Sequence, residues 1–577
     1  GSGSGGFDLG ALLVAPLPAE RQWVFFLLCL VGFGLKVPLV PLHTWLPQFA
    51  LAGPGALTAL LVGLKLGAFG LLRIAMPLAP TVAQDLHWLL AGLGTVSLLY
   101  GAVGMLAQSN LRVSMAYASI CHVGLAVLGL AAYTAQFYWI HTALHDVSGL
   151  PNLYAVPLTF LLPAFLALYP AACIWLWEKF TLPRWLHIGV ALPLLWTLTE
   201  FARERLLTGF GWGALGYSQI ADGSPLAGFA PIGGIHLVTL AAACLGAWLV
   251  LLVNSPGRTK IRLGAAAAIT ALLFGGHFAR QTEFTHPDGS SATVALAQGN
   301  IAQTLKWTEA QVAPTIQRYY DQVAHTHADI VILPETAIPV MRQSLPEGVI
   351  NQFADQAARN GSALALGIAQ YTADGAGYEN AVINLAGYNP EQAAAPYYAK
   401  NHLVPFGEYK PLPMLTEPLY SLMNMPLADF KRGGAAQTPF QMANQKVAFN
   451  ICYEDGFGDE LIASARQASL LANASNMAWY GRSNAMFQHL QQSQARALEL
   501  GRYMVRATNT GATAIINPQG RIVAEAPPDT TVVLEGRIQG YAGETPYMKL
   551  GGSWPLVLVM ALAAAALYLA GKRRPPR

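Results

Sequence analysis

Between residues 290 and 545 the chain has no apolar run long enough to cross a bilayer, while on either side such runs follow one another closely. A helical span needs about 20 largely apolar residues to match the hydrocarbon thickness. Runs of that kind lie near residues 23–46, 55–78, 86–108 and 113–134, then near 156–178, 185–200, 234–253 and 261–279, and finally near 553–571. Backbone exposed to lipid must satisfy its own hydrogen bonds, so these runs predict a polytopic α-helical membrane protein, with one water-facing domain inserted before the last span. The composition agrees, since only 11% of the 577 residues are charged and 54% are apolar. A net charge of +3, with no basic patch interleaved with aromatic residues, gives nucleic acid no footprint.

The middle region is patterned differently. Short β-type runs at Ala292–Ala297, Asp329–Leu333, Ala363–Gly367 and Lys446–Cys452 alternate with amphipathic helical stretches, which predicts one soluble α/β domain. The expected division is a linker- or tag-like 1–6, a first group of spans over 7–135, a second over 136–285, the α/β domain over 286–545, and a last span with a basic tail over 546–577. Basic residues favour the cytoplasmic ends of spans. Lys179 and Arg184, then Arg258, Lys260 and Arg262, and finally Arg573 and Arg574 can all be cytoplasmic together. That assignment puts residues 201–233 and the α/β domain on the opposite face of the membrane.

Of five cysteines, Cys29, Cys121, Cys173 and Cys244 fall in apolar segments, and only Cys452 belongs to the polar region. That leaves no disulfide framework, and without C-x-x-C or H-E-x-x-H spacing no metal site is expected. Cys452 ends an apolar β-type run and is followed by Tyr453, Glu454 and Asp455, an arrangement that presents a thiol at a strand terminus beside backbone N–H donors. The competing reading is a buried cysteine acting as a small hydrophobe. Glu335 likewise ends a strand-like run, Ile330–Leu333 followed by Pro334, and could instead cap a helix dipole. Lys400 lies among aromatic residues with a second carboxylate, Glu408, nearby, and could be a solvated charge. Together, a carboxylate, an ammonium and a thiol make a set suited to acyl transfer.

The stretches Leu333-Pro-Glu-Thr-Ala337, Lys400-Asn-His-Leu-Val-Pro-Phe-Gly-Glu408 and Asn450-Ile-Cys-Tyr-Glu454 closely resemble motifs of the nitrilase superfamily. With Leu207–Trp212, Leu215–Gln219, Gln298–Asn300, Leu305–Trp307, Ala497–Leu500 and Arg506–Gly511, the chain from about residue 137 onward is similar to the membrane branch of that superfamily, the bacterial apolipoprotein N-acyltransferases. The resemblance implies an α-β-β-α sandwich with Glu335 as general base, Lys400 stabilising the oxyanion and Cys452 as nucleophile. It also implies Glu408, Tyr453 and Glu454 as supports, Trp307 and Trp479 at the mouth of the site, and Trp212 at the membrane edge. The implied reaction moves an acyl chain from a phospholipid, typically phosphatidylethanolamine, through a thioester to the α-amine of a diacylglyceryl apolipoprotein. It needs no cofactor, and the implied setting is a monomer in the bacterial inner membrane with its catalytic domain in the periplasm. Met477 and Tyr480 depart from the family, which commonly has an acidic residue and Phe there. A membrane-tethered amidase, in which water resolves the thioester, would use the same three residues.

Residues 20–135 carry a second resemblance. Gly34–Pro47, Leu64–Arg73 and Ser109–Ser119 are similar to the antiporter-like membrane subunits of respiratory NADH dehydrogenase, in which Lys36, Lys65 and His122 would match polar residues of a proton path. Ionisable groups inside a membrane are costly and mark function by default. A fragment without the remaining helices of such a subunit is expected to replace the first spans rather than to translocate ions.

Overall fold

A computed structural model describes residues 17–52, 70–107, 116, 120, 132–207, 209–221, 223–255, 257–388, 395–411, 414, 417, 420 and 429–572. Two compact units divide the chain, Gly1–Ala172 (with Leu422–Asn424) and the remainder.

In the first unit the run near 23–46 does not form one span. Helix Ala19–Lys36 stops, a turn follows, and Trp45–Ala52 begins a second helix. Pro38 and Pro41 explain the break: each lacks the N–H a continuing helix needs, and hydropathy alone does not register that loss. Residues 86–108 form the expected helix, His87–Ala107. Phe26, Leu30, Leu71, Met76, Val82, Leu86 and Leu90 pack together as the core of this unit. Lys36 is exposed at the end of its helix. Lys65, Cys121, His122, residues 1–6, Arg573 and Arg574 lie outside the described residues, as does most of the runs near 55–78 and 113–134.

Five helices among the described residues are long and apolar enough to cross a membrane: Asn152–Trp177, Arg184–Arg205, Pro225–Val253, Thr259–Gln281 and Trp554–Lys572. The second and third extend furthest beyond the predicted runs. The second carries Glu200, Arg203 and Glu204, all buried, whose charges end the run in the sequence although they point into the protein. The third is interrupted at Gly233 and Gly234, where the backbone leaves helical geometry. Gly234 has a φ of 71°, and a Cβ there would come within 2.6 Å of the Tyr547 ring. The interruption frees the Ile235 N–H, which donates to Glu499 Oε1 of the α/β domain at 2.7 Å.

The α/β domain contains two six-stranded sheets. Its strands are β1 (His286–Gln298), β2 (Ile330–Ile332), β3 (Ala363–Tyr371), β4 (Tyr378–Asn384), β5 (Tyr397–Ala399), β6 (Phe440–Met442), β7 (Gln445–Ile451), β8 (Leu470–Ser475), β9 (Tyr503–Thr508), β10 (Ala514–Ile516), β11 (Ile522–Glu525) and β12 (Val532–Ala542). One sheet is ordered β12-β1-β2-β3-β4-β5 and the other β11-β10-β9-β8-β7-β6. In each the central strands are parallel, β1-β2-β3 and β7-β8-β9. Side-chain alternation builds three layers of core. Ile330 and Ile332 of β2 meet Val447, Phe449 and Ile451 of β7 between the sheets. The intervening Val331 packs with Leu333 against Tyr319 and Val323 of α1 (Glu309–Ala324) and Phe353 of α2 (Val349–Arg359). On the far side, Ala448 and Leu471 pack against Leu461 of α3 (Gly458–Ala465) and Leu490 of α4 (Ala485–Leu500). The result is the expected α-β-β-α sandwich, and all four strand runs read from the sequence fall in β1, β2, β3 and β7.

Buried polar groups join this domain to the spans. Arg205 pairs with Asp459 at 2.6 Å, and Glu204 lies 3.1 Å from His236 Nε2. The other ring nitrogen of His236 lies 2.9 Å from Ser553 Oγ, while the Ser553 N–H donates to Asp459 at 3.1 Å.

Ile332 is fully enclosed between the sheets, whereas Leu558 is 61% exposed on the last span. Ile332→Ala is expected to cost about 2–5 kcal/mol and Leu558→Ala less than about 0.5 kcal/mol. Thermal melting in detergent should therefore separate the two variants clearly.

Candidate active site

The first sheet presents Glu335 just beyond β2 and Lys400 immediately after β5, and the second presents Cys452 immediately after β7. Ligand sites in sheets with parallel centres form at such strand ends, where the chain leaves the ladder and side chains are free to converge. Cys452 carries a free thiol and has a φ of 51°, a left-handed conformation that strains any residue with a Cβ. The strain is held from below. The Cys452 carbonyl accepts from His489 Nε2 at 2.9 Å and from Asn473 Nδ2 at 3.3 Å. Arg506 donates to His489 Nδ1, so the proton of a neutral ring lies on Nε2, where it faces that carbonyl. Burial and then Arg506 push the His489 pKa well below its usual value, keeping the ring neutral. Arg506 in turn pairs with Asp455 at 3.1 Å.

Glu454 ties the two strand ends together. Its carboxylate accepts from the Ile451 N–H at 2.6 Å, the Asn401 N–H at 2.7 Å, the His402 N–H at 3.0 Å and the Tyr398 hydroxyl at 2.9 Å. One buried side chain thus pins both the residue before Cys452 and the residues after Lys400. Burial pushes its carboxyl up to about 7, against those donors.

Lys400 is fully buried. Its ammonium reaches both oxygens of Glu408 at 2.8 Å and lies 3.7 Å from Glu335 Oε1. Asn380, the cross-strand neighbour of Lys400, donates Nδ2 to Glu335 at 2.7 Å and to Glu408 at 3.1 Å. Glu408 also accepts from the Val404 N–H at 2.8 Å. Burial works against the Lys400 ammonium, but Glu408 and then Glu335 outweigh it, and the pKa rises above its usual value. The Cys452 thiol is pushed up to about 12, first by burial and next by the charge of Glu335, with Lys400 pulling the other way. At neutral pH the site therefore holds an ammonium and a protonated thiol. Sulfur becomes nucleophilic only as its proton leaves for a neighbouring base.

The remaining predicted residues fall into two groups. Glu408, Tyr453 and Glu454 are brought to the site, and Tyr453 donates its hydroxyl to the Gly209 carbonyl at 3.0 Å. Trp212 is buried, with its ring stacked 5.3 Å from His489 and its carbonyl held by Arg203 at 3.0 Å. Through His489 it backs the turn of Cys452. Trp307 and Trp479 are half-buried in the turns that follow β1 and β8. Met477 is buried, and the raised pKa of the Tyr480 phenol reflects burial and then the neighbouring Cys452.

Sequence reasoning missed Asn380, His489, Asn473, Arg506 and Lys306. Arg506 had a signal, since it interrupts a largely apolar strand, whereas Asn380 shares its strand with Glu379 and Asn384 and does not stand out. His489 offered none, because its partners come from β7, β9 and the membrane-edge loop.

Residues 293–547 match the family described as carbon-nitrogen hydrolase, and residues 87–248 match the apolipoprotein N-acyltransferase N-terminal domain. Residues 12–154 match the NADH:quinone oxidoreductase/Mrp antiporter transmembrane family, in line with the resemblance of the front end, and overlap the preceding match from residue 87. The chain is 70% identical over 475 residues to an apolipoprotein N-acyltransferase of Neisseria meningitidis serogroup B, covering 82% of this chain and 91% of that one. It is 52% identical over 452 residues to one from Chromobacterium violaceum, covering 77% and 85%. Among solved structures it is similar to a carbon-nitrogen hydrolase from Helicobacter pylori, at 14% identity and a TM-score of 0.33 over 47% of this chain and 95% of that one. With 70% of 475 aligned residues identical to one such relative, over 82% of this chain and 91% of that one, this chain belongs to the apolipoprotein N-acyltransferases.

Proposed function

We propose that the protein moves an acyl chain from a phospholipid, through a thioester on Cys452, to the α-amine of the N-terminal diacylglyceryl-cysteine of apolipoproteins. Phosphatidylethanolamine is the proposed donor and the protein acts as a monomer. Glu335 takes the Cys452 proton as sulfur attacks the ester carbonyl. The tetrahedral oxyanion forms beside the Lys400 ammonium. Collapse breaks the ester C–O bond, and the same proton passes from Glu335 to the departing glycerol oxygen, releasing a lysophospholipid. The acceptor amine then attacks the thioester, its proton goes to Glu335, and sulfur leaves and recovers a proton. Glu408 and Glu454 hold Lys400 and the turn of Cys452 in register, and Trp307 and Trp479 line the mouth.

The observation that carries this reading is that three strand ends present Cys452, Glu335 and Lys400 to one site, with Glu335 held 3.7 Å from the fully buried Lys400 ammonium. A thiol pushed up to about 12 needs a base at its side, and an ammonium locked between two carboxylates is ready for a developing oxyanion. Spans on both sides of residues 286–545 hold the domain against lipid, which raises the effective concentration of a substrate almost absent from water. The short basic loops at Lys179–Arg184 and Arg258–Arg262 support cytoplasmic loops and a periplasmic catalytic domain in the inner membrane. The front end, 7–135, serves as membrane anchor.

Incubation with phospholipid should leave an acyl adduct on Cys452, seen by mass spectrometry, and adding a diacylglyceryl peptide should convert it to N-acylated peptide. Cys452→Ser should give no adduct, and Glu335→Gln should slow adduct formation by about 10²–10⁴-fold. Free fatty acid without acylated peptide would assign the thioester's fate to water and make the protein a hydrolase.

The high thiol pKa sets a further expectation. Well below it the thiolate fraction rises tenfold per pH unit, so alkylation of Cys452 by iodoacetamide should keep climbing from pH 8 to 10. An ordinary thiol of pKa about 8.5 levels off over the same range. Site-resolved mass spectrometry reads this directly, and a plateau by pH 9 would contradict the burial of the thiol. Lys65→Met is expected to leave both acylation and ion flux in liposomes unchanged.

A further inference from the structure

We propose that Lys306 is a positioning residue for Glu335, a second buried cation that fixes the turn carrying the base and balances the site's excess negative charge. The proposal rests on the reading of Glu335 as general base.

Lys306 ends the short helical turn Gln303–Lys306 after β1 and is 1% exposed. A lysine so deeply buried ordinarily has a carboxylate as its hydrogen-bond partner. Here Nζ donates instead to Thr336 Oγ1 at 2.7 Å and to the Glu335 backbone carbonyl at 3.3 Å. Both acceptors belong to the turn that carries the base. Thr336 has a φ of 44°, a conformation that a β-branched residue holds only when its surroundings enforce it. The turn also presses on β3 at Gly367, where a Cβ would overlap the Pro334 carbonyl, so its path leaves no slack. The helical turn behind Lys306 is anchored independently. Asn476 donates to Gln303 Oε1 at 2.7 Å and accepts from Asn509 at 3.0 Å, which ties Lys306 to the ends of β8 and β9.

Charge points the same way. Glu335 and Glu408 are two carboxylates sharing one hydrogen-bonded ammonium, and Lys400 lies nearer Glu408 than Glu335. The other groups whose charge bears on Glu335 are Cys452, Tyr480 and Arg506, and Arg506 is committed to Asp455. Lys306 supplies the missing positive charge beside the base. Burial pulls its pKa down to about 7, with Glu335 pulling it back up, so the ammonium persists through the acidic range in which a carboxyl base titrates.

Removing a cation beside a carboxylate raises that carboxylate's pKa. The single-turnover rate of Cys452 acylation by phosphatidylethanolamine, followed by mass spectrometry from pH 4.5 to 9, should therefore show its acidic limb about one unit higher in Lys306→Met. Lys306→Gln keeps hydrogen-bond donors without the charge and should show the same shift. Well below the midpoint of the wild-type limb the slowing in both variants should approach roughly tenfold, and at pH 8.5, above the limb, the gap should close. Melting temperatures check that each variant is folded, and Lys306→Gln carries the test if Lys306→Met is not. Equal slowing at every pH with an unmoved limb would reduce Lys306 to a structural lysine and overturn the proposal. Absence of an adduct in wild type at any pH would instead bring down the reading of Cys452, and this proposal with it.

Discussion

Lys400 is a fully buried ammonium, and the arrangement of the α/β domain turns on keeping that charge compensated. A buried charge is tolerated only when paired and hydrogen-bonded, and removing one partner of a buried pair typically costs about 3–5 kcal/mol. Glu408 takes the pairing role at 2.8 Å, and Asn380 bridges Glu408 to Glu335. Glu335 is thereby left close enough to feel the ammonium, yet with an oxygen not committed to it. The ends of β2 and β5 and the loop carrying Glu408 must bring these groups to within 3.7 Å of the ammonium for this to work. That demand explains why the layers between and outside the sheets are so thoroughly apolar: a core that shifted by one register would turn these charges against hydrocarbon.

A second set of buried polar contacts makes the membrane part of the same machine. The Trp212 ring lies on His489, which supports the Cys452 carbonyl, and the Tyr453 hydroxyl reaches the Gly209 carbonyl. The loop between two spans is thus a wall of the turn that carries Cys452. Farther out, Arg205 with Asp459, and the freed Ile235 N–H with Glu499, fasten two spans to α3 and α4. The interruption at Gly234 serves this join, because an unbroken helix would consume the N–H that Glu499 accepts from. Substrate drawn from the bilayer would meet a site whose floor the bilayer-embedded helices help to hold.

The parts of this arrangement that were legible in the sequence are those encoded locally. Cys452, Glu335 and Lys400 each follow a β-type run, and the runs at β1, β2, β3 and β7 carry the period of two that marks a strand. What failed depends on partners distant in sequence. The predicted run near 185–200 stops short of Arg203 and Glu204, whose charges, like that of Glu200, are compensated by buried partners on the next span and its connecting loop. The run near 23–46 was read as continuous because prolines are neutral on a hydropathy scale while fatal to a helix ladder. His489 and Arg506 matter only because α4 and β9 bring them beneath Cys452, and no spacing within 577 residues announces that.

The resting state of the thiol follows from the same charge balance. Thiolate, not thiol, is the species that oxidises and alkylates, so a sulfur pushed up to about 12 is chemically quiet while the site waits. Quiet is useful to a free cysteine in an oxidising compartment, which the proposed periplasmic face would be. In the proposed mechanism activation comes with the substrate, the proton moving to Glu335 in the step that would make the carbon–sulfur bond. The Lys400 ammonium, already in place between its carboxylates, needs no reorganisation to meet the oxyanion that appears at that moment. A site built this way gives up intrinsic nucleophilicity and gains selectivity, because only a carbonyl seated between the sulfur and the ammonium calls the thiolate into existence.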